Sequence, residues 1–305
     1  MLNQAAAYAP TFLFGLFPTD VAVEPGDSGM TAPDYSISNF DSYTYTSTAS
    51  LRHDFSHRSN FVFYGDFQYT DRLHENVRWR DVSSHSMRAQ YSRNISRTTA
   101  LNAQYRYRSG DFGYGGDGIT TESGVDFGIT NTRPLSATRH ASFRFNLGAS
   151  AAEVPVTTLE GRIYQRQYLI LADAGFEYQF NRVWQSRGNY RRGLQYAPGI
   201  PQPVLGGSYG VEVDGVFGRR VDLLLFAGYS SGQALLNPNE LVFDTYTSDA
   251  RLRYALTRHV AAYIEYLYYY YNFHEGGRLL AEIPRGLERN GIRAGLTFWM
   301  PAFRK

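Results

Sequence analysis

The strongest constraint on this chain is a period-two alternation in residues 246–273, "YTSDARLRYALTRHVAAYIEYLYYYYNF". Apolar or small residues occupy every second position in its first half, and charged or hydroxyl residues occupy the positions between them. The alternation resumes after Thr257–His259, with Ile264 on one parity and Glu265 on the other. Because the side chains of a β-strand alternate between two faces, the segment predicts a β-hairpin with one apolar face and one polar face.

The same alternation recurs along the chain and predicts about thirteen strands from residue 42 onward, with a further strand near residues 5–16. The connections between them alternate between short turns and long loops. The long loops are predicted at 17–41, 71–84, 109–120, 150–165, 193–207, 231–243 and 274–289. This asymmetry is typical of transmembrane β-barrels, which have short periplasmic turns and longer extracellular loops.

Composition separates the membrane barrel from its main rival, a soluble β-sandwich. The chain has 305 residues with 25 Tyr, 20 Phe and 29 Gly. Its mean hydropathy is −0.39, and no apolar run approaches the roughly 18 residues of a transmembrane helix. Girdle-type aromatics near strand ends and charges on the polar face of nearly every strand favour the barrel over the sandwich.

The final segment, "GIRAGLTFWMPAF", alternates apolar and aromatic residues at Ile292, Leu296, Phe298 and Phe303. It resembles the C-terminal strand signal of Gram-negative outer-membrane β-barrel proteins, although Pro301 departs from that pattern. The resemblance implies an all-β, transmembrane, antiparallel up-and-down β-barrel of about 14 strands in the bacterial outer membrane. It also implies contact with outer-membrane lipid, with lipopolysaccharide and, through the last strand, with the outer-membrane assembly machinery.

A single barrel domain is expected over residues 1–305, with the first strand in 1–16 and a long extracellular loop or plug in 17–41. The start of the chain lacks the pattern of a secretory signal, so we expect that a signal or upstream strands are missing. The net charge of +2 gives no reason to expect nucleic acid, and zero cysteine excludes disulfides and thiolate metal sites. No motif predicts a cofactor. A homo-oligomer or an export-system partner is left open.

The polar parity of each strand is assigned to the barrel lumen, where acidic and basic strands alternate and are expected to pair across the ladder. The predicted lumen-lining charges are Arg88, Arg106, Arg108, Asp126, Arg144, Asp173, Glu177, Arg187, Arg191, Glu212, Asp214, Asp249, Arg251, Arg253, Glu265 and Arg293. The predicted membrane-girdle residues are Tyr266, Tyr268, Tyr270 and Phe298. A three-residue turn at Thr257–His259 would set Arg251 directly opposite Glu265, and a shift of two residues would make them diagonal neighbours. Arg293 is expected to approach Glu265 from the other side.

Three functions are compatible with this pattern. The first is a porin-like channel for small polar or zwitterionic solutes, or the exit conduit of an export system. The second is a non-conducting structural or adhesive barrel that acts through its loops. The third is a barrel hydrolase using His74, His85 or His274, which we disfavour because Ser84 and His85 are adjacent and must face opposite sides of their strand. No catalytic or metal site is therefore predicted.

Overall fold

The computed structural model describes residues 2–9, 42–72, 82–111, 119–158, 161–195, 204–235, 241–274 and 285–298. These residues form one sheet of 14 strands. The strands are β1 (Leu2–Ala9), β2 (Ser42–Ser56), β3 (Ser59–Arg72), β4 (Val82–Asn94), β5 (Thr99–Asp111), β6 (Thr120–Ser136), β7 (Arg139–Thr158), β8 (Gly161–Gln179), β9 (Trp184–Gln195), β10 (Val204–Phe217), β11 (Val221–Ala234), β12 (Leu241–Ala255), β13 (Val260–Phe273) and β14 (Gly286–Phe298).

The strands follow each other in chain order, and every described ladder is antiparallel between sequence neighbours. This is the predicted up-and-down β-barrel topology, with 13 strands from residue 42 onward and β1 inside the predicted first strand. The described ladders end at β1 and β14, and the described residues form no ladder between those two strands. Residues 17–41, predicted as a loop or plug, lie outside the described residues. In the part of the chain that the structure describes, no helix could span a membrane.

The sequence predicts a turn at 131–140 between two strands, and the observed turn is shorter. Strands β6 and β7 continue to Ser136 and Arg139, and the ladder slips between Pro134 and Ser136. Proline has no N–H to donate to a ladder, and a local bulge is where a strand tolerates it. The proline therefore marks an irregularity inside the hairpin instead of the end of its strands.

The predicted long loop at 150–165 is wrong. Thr158 pairs directly with Gly161, so β7 and β8 are 20 and 19 residues long. The reason is that the alternation continues: Ala152 and Val154 are buried on one face. A barrel strand needs only about 9–11 residues to cross the hydrocarbon. This hairpin therefore extends well beyond the membrane on the side of the long loops.

Several glycines sit opposite aromatic residues in neighbouring strands. A Cβ on Gly232 would overlap the ring of Phe243, and one on Gly295 would overlap the ring of Tyr263. The rings lie across the backbone where the glycine leaves room, an arrangement that covers an otherwise bare stretch of strand. These pairs explain why glycine occurs inside strands, where it would otherwise weaken the sheet.

Candidate functional site: the inward face

The two faces of the sheet differ sharply in chemistry and exposure. Large apolar side chains on one parity are exposed, including Phe127, Ile170 and Ile292, the last at 74%. On the other parity Asp126 and Glu212 are buried. Arg108 of β5 donates a hydrogen bond to the backbone carbonyl of Leu194 at the end of β9, at 3.4 Å. This contact between strands four apart in order shows that the sheet curls around the polar parity, which we call the inward face.

The ladder registers place every predicted lumen charge on the inward face. Arg106 lies diagonal to Asp126, and its Nη2 is 2.6 Å from Oδ2 of that carboxylate, which also accepts from Gln104 at 3.3 Å. Asp173 receives Arg144 at 3.1 Å and Arg191 at 3.6 Å. One carboxylate is thus shared by two arginines from the strands on either side of it.

Further along the sheet the pairing is reversed, with one arginine shared by two carboxylates. Arg187 of β9 bonds to Glu212 and lies 3.4 Å from Asp214, both on β10. Arg253 of β12 bonds to Asp222 of β11 at 2.6 Å. Planar guanidinium groups can bridge oxygens of neighbouring strands, so the inward face is held together by charge-assisted contacts.

The closing strands contain the arginine–glutamate–arginine arrangement predicted from the hairpin. Glu265 lies directly opposite Arg251 on β12 and directly opposite Arg293 on β14. Its Oε2 is 3.8 Å from Nε of Arg293. Asp249, only 3% exposed, is a neighbour of Glu265. Both acids were predicted to line the lumen, but their contact with each other was not predicted. The site is therefore a quartet of two acids and two bases.

Sequence reasoning missed Glu122, an acid that is 3% exposed on the inward face of β6, directly opposite Arg108. From the alternation, this strand is predicted to begin at Gly124, after the predicted loop at 109–120. Extending the period of two backward from Asp126 would have found Glu122. Asp66 of β3 was also left out of the predicted lumen set, and its carboxylate accepts the hydroxyl of Ser86.

The inward face is buried at the end of the sheet where the long loops were predicted. Leu169, Ala152 and Val154 of the inward parity form one apolar cluster there with Leu194, which is on the other parity at the end of β9, and with Leu235, which directly follows β11. Further inward side chains of β10–β13 at this end are 0–2% exposed: Val204, Ser230, Phe243, Thr245, Tyr271 and Phe273. We call these two sets together the loop-end ring. The interior is thus filled or covered at this level along β7–β13.

The outward face carries a row of tyrosines that are directly opposite one another on successive strands. They are Tyr190, Tyr209, Tyr229, Tyr246 and Tyr270, on β9 to β13. The centroids of adjacent rings are between 4.7 and 6.2 Å apart. Aromatic rings in cross-strand contact stabilise a sheet, and a polar tip suits them to an interface between lipid and water.

The predicted girdle residues all lie on the outward face. The hydroxyl of Tyr266 bonds to Asn290 at 2.9 Å, and that of Tyr268 bonds to Glu288 at 3.3 Å. Phe298, near the end of β14, is 60% exposed. The tyrosine-rich end of β13 is thus next to polar side chains of β14, whereas Ile292 continues the apolar surface.

Two of the histidines considered for hydrolysis, His85 and His274, have separate side-chain partners. His85 is on the outward face of β4, beside the ring of Phe67 at a centroid distance of 4.9 Å. His274, after β13, has its Nε2 2.6 Å from Oδ1 of Asp244. His74 lies outside the described residues. Within the described ranges no three acidic or histidine side chains are grouped to hold a metal.

No family model matches the chain, and no curated protein sequence matches it. Its structure is similar to the alcaligin outer-membrane receptor FauA of Bordetella pertussis, at 11% identity and a TM-score of 0.42, over 86% of this chain and 58% of that one. It is also similar to the ferric yersiniabactin uptake receptor FyuA of Yersinia pestis, at 12% identity and a TM-score of 0.46, over 84% of this chain and 47% of that one. A third similar structure is the NanC porin, at 10% identity and a TM-score of 0.27, over 84% of this chain and 94% of that one. The chain thus spans about half the length of each of the two receptors.

The physical properties of the sheet identify its solvent. Its ladders satisfy the backbone hydrogen bonds from strand to strand, as hydrocarbon requires, and its outward face exposes large apolar side chains such as Leu252 and Ile264. Its inward face is charged. Apolar-out and polar-in alternation on an up-and-down sheet is the arrangement of outer-membrane barrels. The chain has the architecture of an outer-membrane β-barrel, and its outward face belongs in the lipid of a bacterial outer membrane.

Proposed function

We propose that this protein is an outer-membrane channel that passes small polar solutes, either as a porin or as the outer conduit of an export system. The observation that supports the proposal most directly is the difference between two parts of the inward face. The loop-end ring is buried, whereas none of the described inward side chains of β2–β4 is buried. Arg88 of β4 is exposed.

An accessible polar strip along one side of a barrel interior suits a solute that keeps part of its hydration shell. The strip includes hydroxyl, amide, acidic and basic groups, so a neutral or charged polar solute could exchange water for protein contacts along it. Its inward members with described accessibility include Thr46, Thr48, Asp66, Gln68, Ser86, Arg88 and Gln90. About fourteen strands lie between the side-chain-filled eight-stranded barrels and the 16–18-stranded porins, which implies a narrow path.

Conductance through a planar lipid bilayer tests this function. Purified, folded protein should give stepwise currents, and the matched control is the same detergent preparation with heat-unfolded protein. Replacing Gln90 and Ser86 by tryptophan should reduce the step size, because both side chains face the accessible strip. Replacing the outward Ala89 by tryptophan should leave it unchanged. Folded protein that inserts but never conducts would contradict the channel.

The second candidate function is a structural or adhesive barrel that conducts nothing. The loop-end ring favours it, because fully buried inward residues at that end leave no water-lined path along β10–β13. Replacing residues 196–203 by a two-residue Asn-Gly turn would keep the pairing of Gln195 with Val204. If the protein acts through its loops, this variant should fold and lose binding to cells or lipopolysaccharide. If the connection instead obstructs a channel, its conductance should rise.

A further inference from the structure

The accessible strip contains an unusual pair of like charges. Arg88 of β4 and Arg106 of β5 lie directly opposite each other on the inward face. Residues directly opposite in an antiparallel ladder have Cβ atoms about 4.5–5.5 Å apart, and like charges there are destabilising. Nothing in the sheet geometry requires arginine at both positions, since Gln90 and Gln104 form the next inward pair along the same ladder.

A third arginine comes from the far side of the curled sheet. Arg191 lies three residues before Leu194 on β9, and Arg106 lies two residues before Arg108 on β5, whose guanidinium bonds to the carbonyl of Leu194 at 3.4 Å. The four strands between β4 and β9 are bridged by the same curvature that brings Arg108 to the carbonyl of Leu194. We call Arg88, Arg106 and Arg191 the arginine cluster.

The carboxylates around this cluster do not neutralise it. Asp126 is bonded to Arg106, and Asp173 is shared between Arg191 and Arg144. With Asp66, which lies diagonal to Arg88 on β3, three carboxylates thus face four arginines. Asp66, the acid on the neighbouring strand, accepts the hydroxyl of Ser86. Arg88 has no salt bridge within the described residues, and its guanidinium lies over the ring of Tyr64 at 5.9 Å from the centroid.

We propose that the arginine cluster is a binding site for an oxyanion, a phosphate or carboxylate group of a solute passing along the accessible strip. The site has excess positive charge, an arginine whose guanidinium lies over an aromatic ring, and the planar donors that match oxyanion geometry. The role of this site in transport rests on the proposed channel function, whereas the binding itself does not.

Thermal unfolding of the protein in detergent, followed by circular dichroism, tests the binding without conduction. Inorganic phosphate, acetate and chloride are titrated at matched ionic strength. Phosphate should raise the unfolding temperature in a saturable way, because a ligand that binds only the folded state stabilises it. Arg88→Gln should need about tenfold more phosphate to reach half of the maximal rise in unfolding temperature, as expected for losing a hydrogen bond to a charged group. The phosphate midpoint of Arg88→Lys should lie between those of the parent protein and Arg88→Gln, because lysine keeps the charge and loses the planar fork.

The matched control is Arg253→Gln, which removes the same charge from the inward face at the Asp222 pair and should leave the phosphate midpoint unchanged. Without added oxyanion, Arg88→Gln should unfold at the same or a higher temperature than the parent, because it removes a like-charge pair. Equal stabilisation by chloride and phosphate, or an unchanged midpoint in Arg88→Gln, would overturn the site. Stabilisation by acetate as well as phosphate would show that both oxyanions are accepted.

Bilayer recording then separates the site from the channel. Saturable phosphate binding through Arg88 in a protein that never conducts would refute the channel and leave the site standing. Conductance without phosphate binding would refute the site and leave the channel standing. In a conducting protein, phosphate added to one side should reduce the chloride current, and Arg88→Gln should weaken this block by about the same tenfold factor.

Discussion

Arg251 of β12 lies directly opposite Glu265 of β13 on the inward face of the closing hairpin. On its other side Glu265 faces Arg293, with 3.8 Å between Oε2 and Nε. Asp249 completes the group, and no arginine of the described residues is within salt-bridge distance of that carboxyl. Two neighbouring acids and two arginines form a group with balanced charge. A single substitution can make its net charge positive or negative.

Glu265→Gln should move ion selectivity toward anions. The substitution removes one acid and leaves Arg251 and Arg293 with only Asp249 for compensation. Folding should be little affected, because glutamine has the same shape and Asp249 loses a like-charged neighbour. Reversal potentials under a salt gradient measure the change, with Arg293→Gln as the opposite-sign comparison. An unchanged reversal potential in a conducting Glu265→Gln variant would show that Glu265 stabilises the barrel wall and does not affect ion selectivity.

Ile264→Arg should prevent stable insertion into bilayers, as should Leu252→Arg. These residues are directly opposite each other and 52% and 43% exposed on the outward face. An arginine at the lipid midplane of a barrel wall costs about 2–4 kcal/mol. Thr48→Arg on the inward face of β2, opposite Asp66, is the control and should fold. Heat-modifiable mobility on gels measures folding, and equal yields for the two faces would mean that the face assignment is wrong.

Arg187→Met should destabilise the barrel by about 3 kcal/mol, the range for removing one partner of a buried pair. It leaves Glu212, whose side chain is 6% exposed, without its arginine. Arg166→Met should cost at most about 1 kcal/mol, because the exposed Arg166–Glu153 pair is of the surface type. Denaturant titrations in lipid vesicles give both values. The prediction fails if the two variants are equally stable.

Gly232→Ala should destabilise the fold by about 1–3 kcal/mol through overpacking. The new methyl group would meet the ring of Phe243, which is fully buried in the loop-end ring. Adding Phe243→Leu should recover part of the loss, because the smaller side chain leaves room. Gly207→Ala on β10 meets no atom within 4 Å and is the control. A loss of stability in Gly207→Ala as large as in Gly232→Ala would indicate a backbone effect instead of a steric one.

The sequence by itself determined the strands, their number and which side chains share a face. The reason is that alternation is local: the position of Glu265 relative to Ile264 follows from the geometry of one strand. The short turn at 257–259 also predicted that Arg251 and Glu265 are opposite or diagonal neighbours in the β12–β13 hairpin, and the structure sets them directly opposite. Where a strand was started too late, as before Asp126, its inward acid Glu122 was lost with it.

Only the tertiary structure decided which inward residues meet across the interior. The hydrogen bond from Arg108 to the carbonyl of Leu194 joins strands that are far apart in order. Such contacts depend on how the sheet curls, and the period of two contains no information about curvature. The same is true of the loop-end ring: Thr245 and Thr48 share a residue type and the inward parity, but Thr245 is 0% exposed while Thr48 remains accessible. Burial inside a barrel is set by what lies across the lumen, and the local sequence of a strand does not specify that.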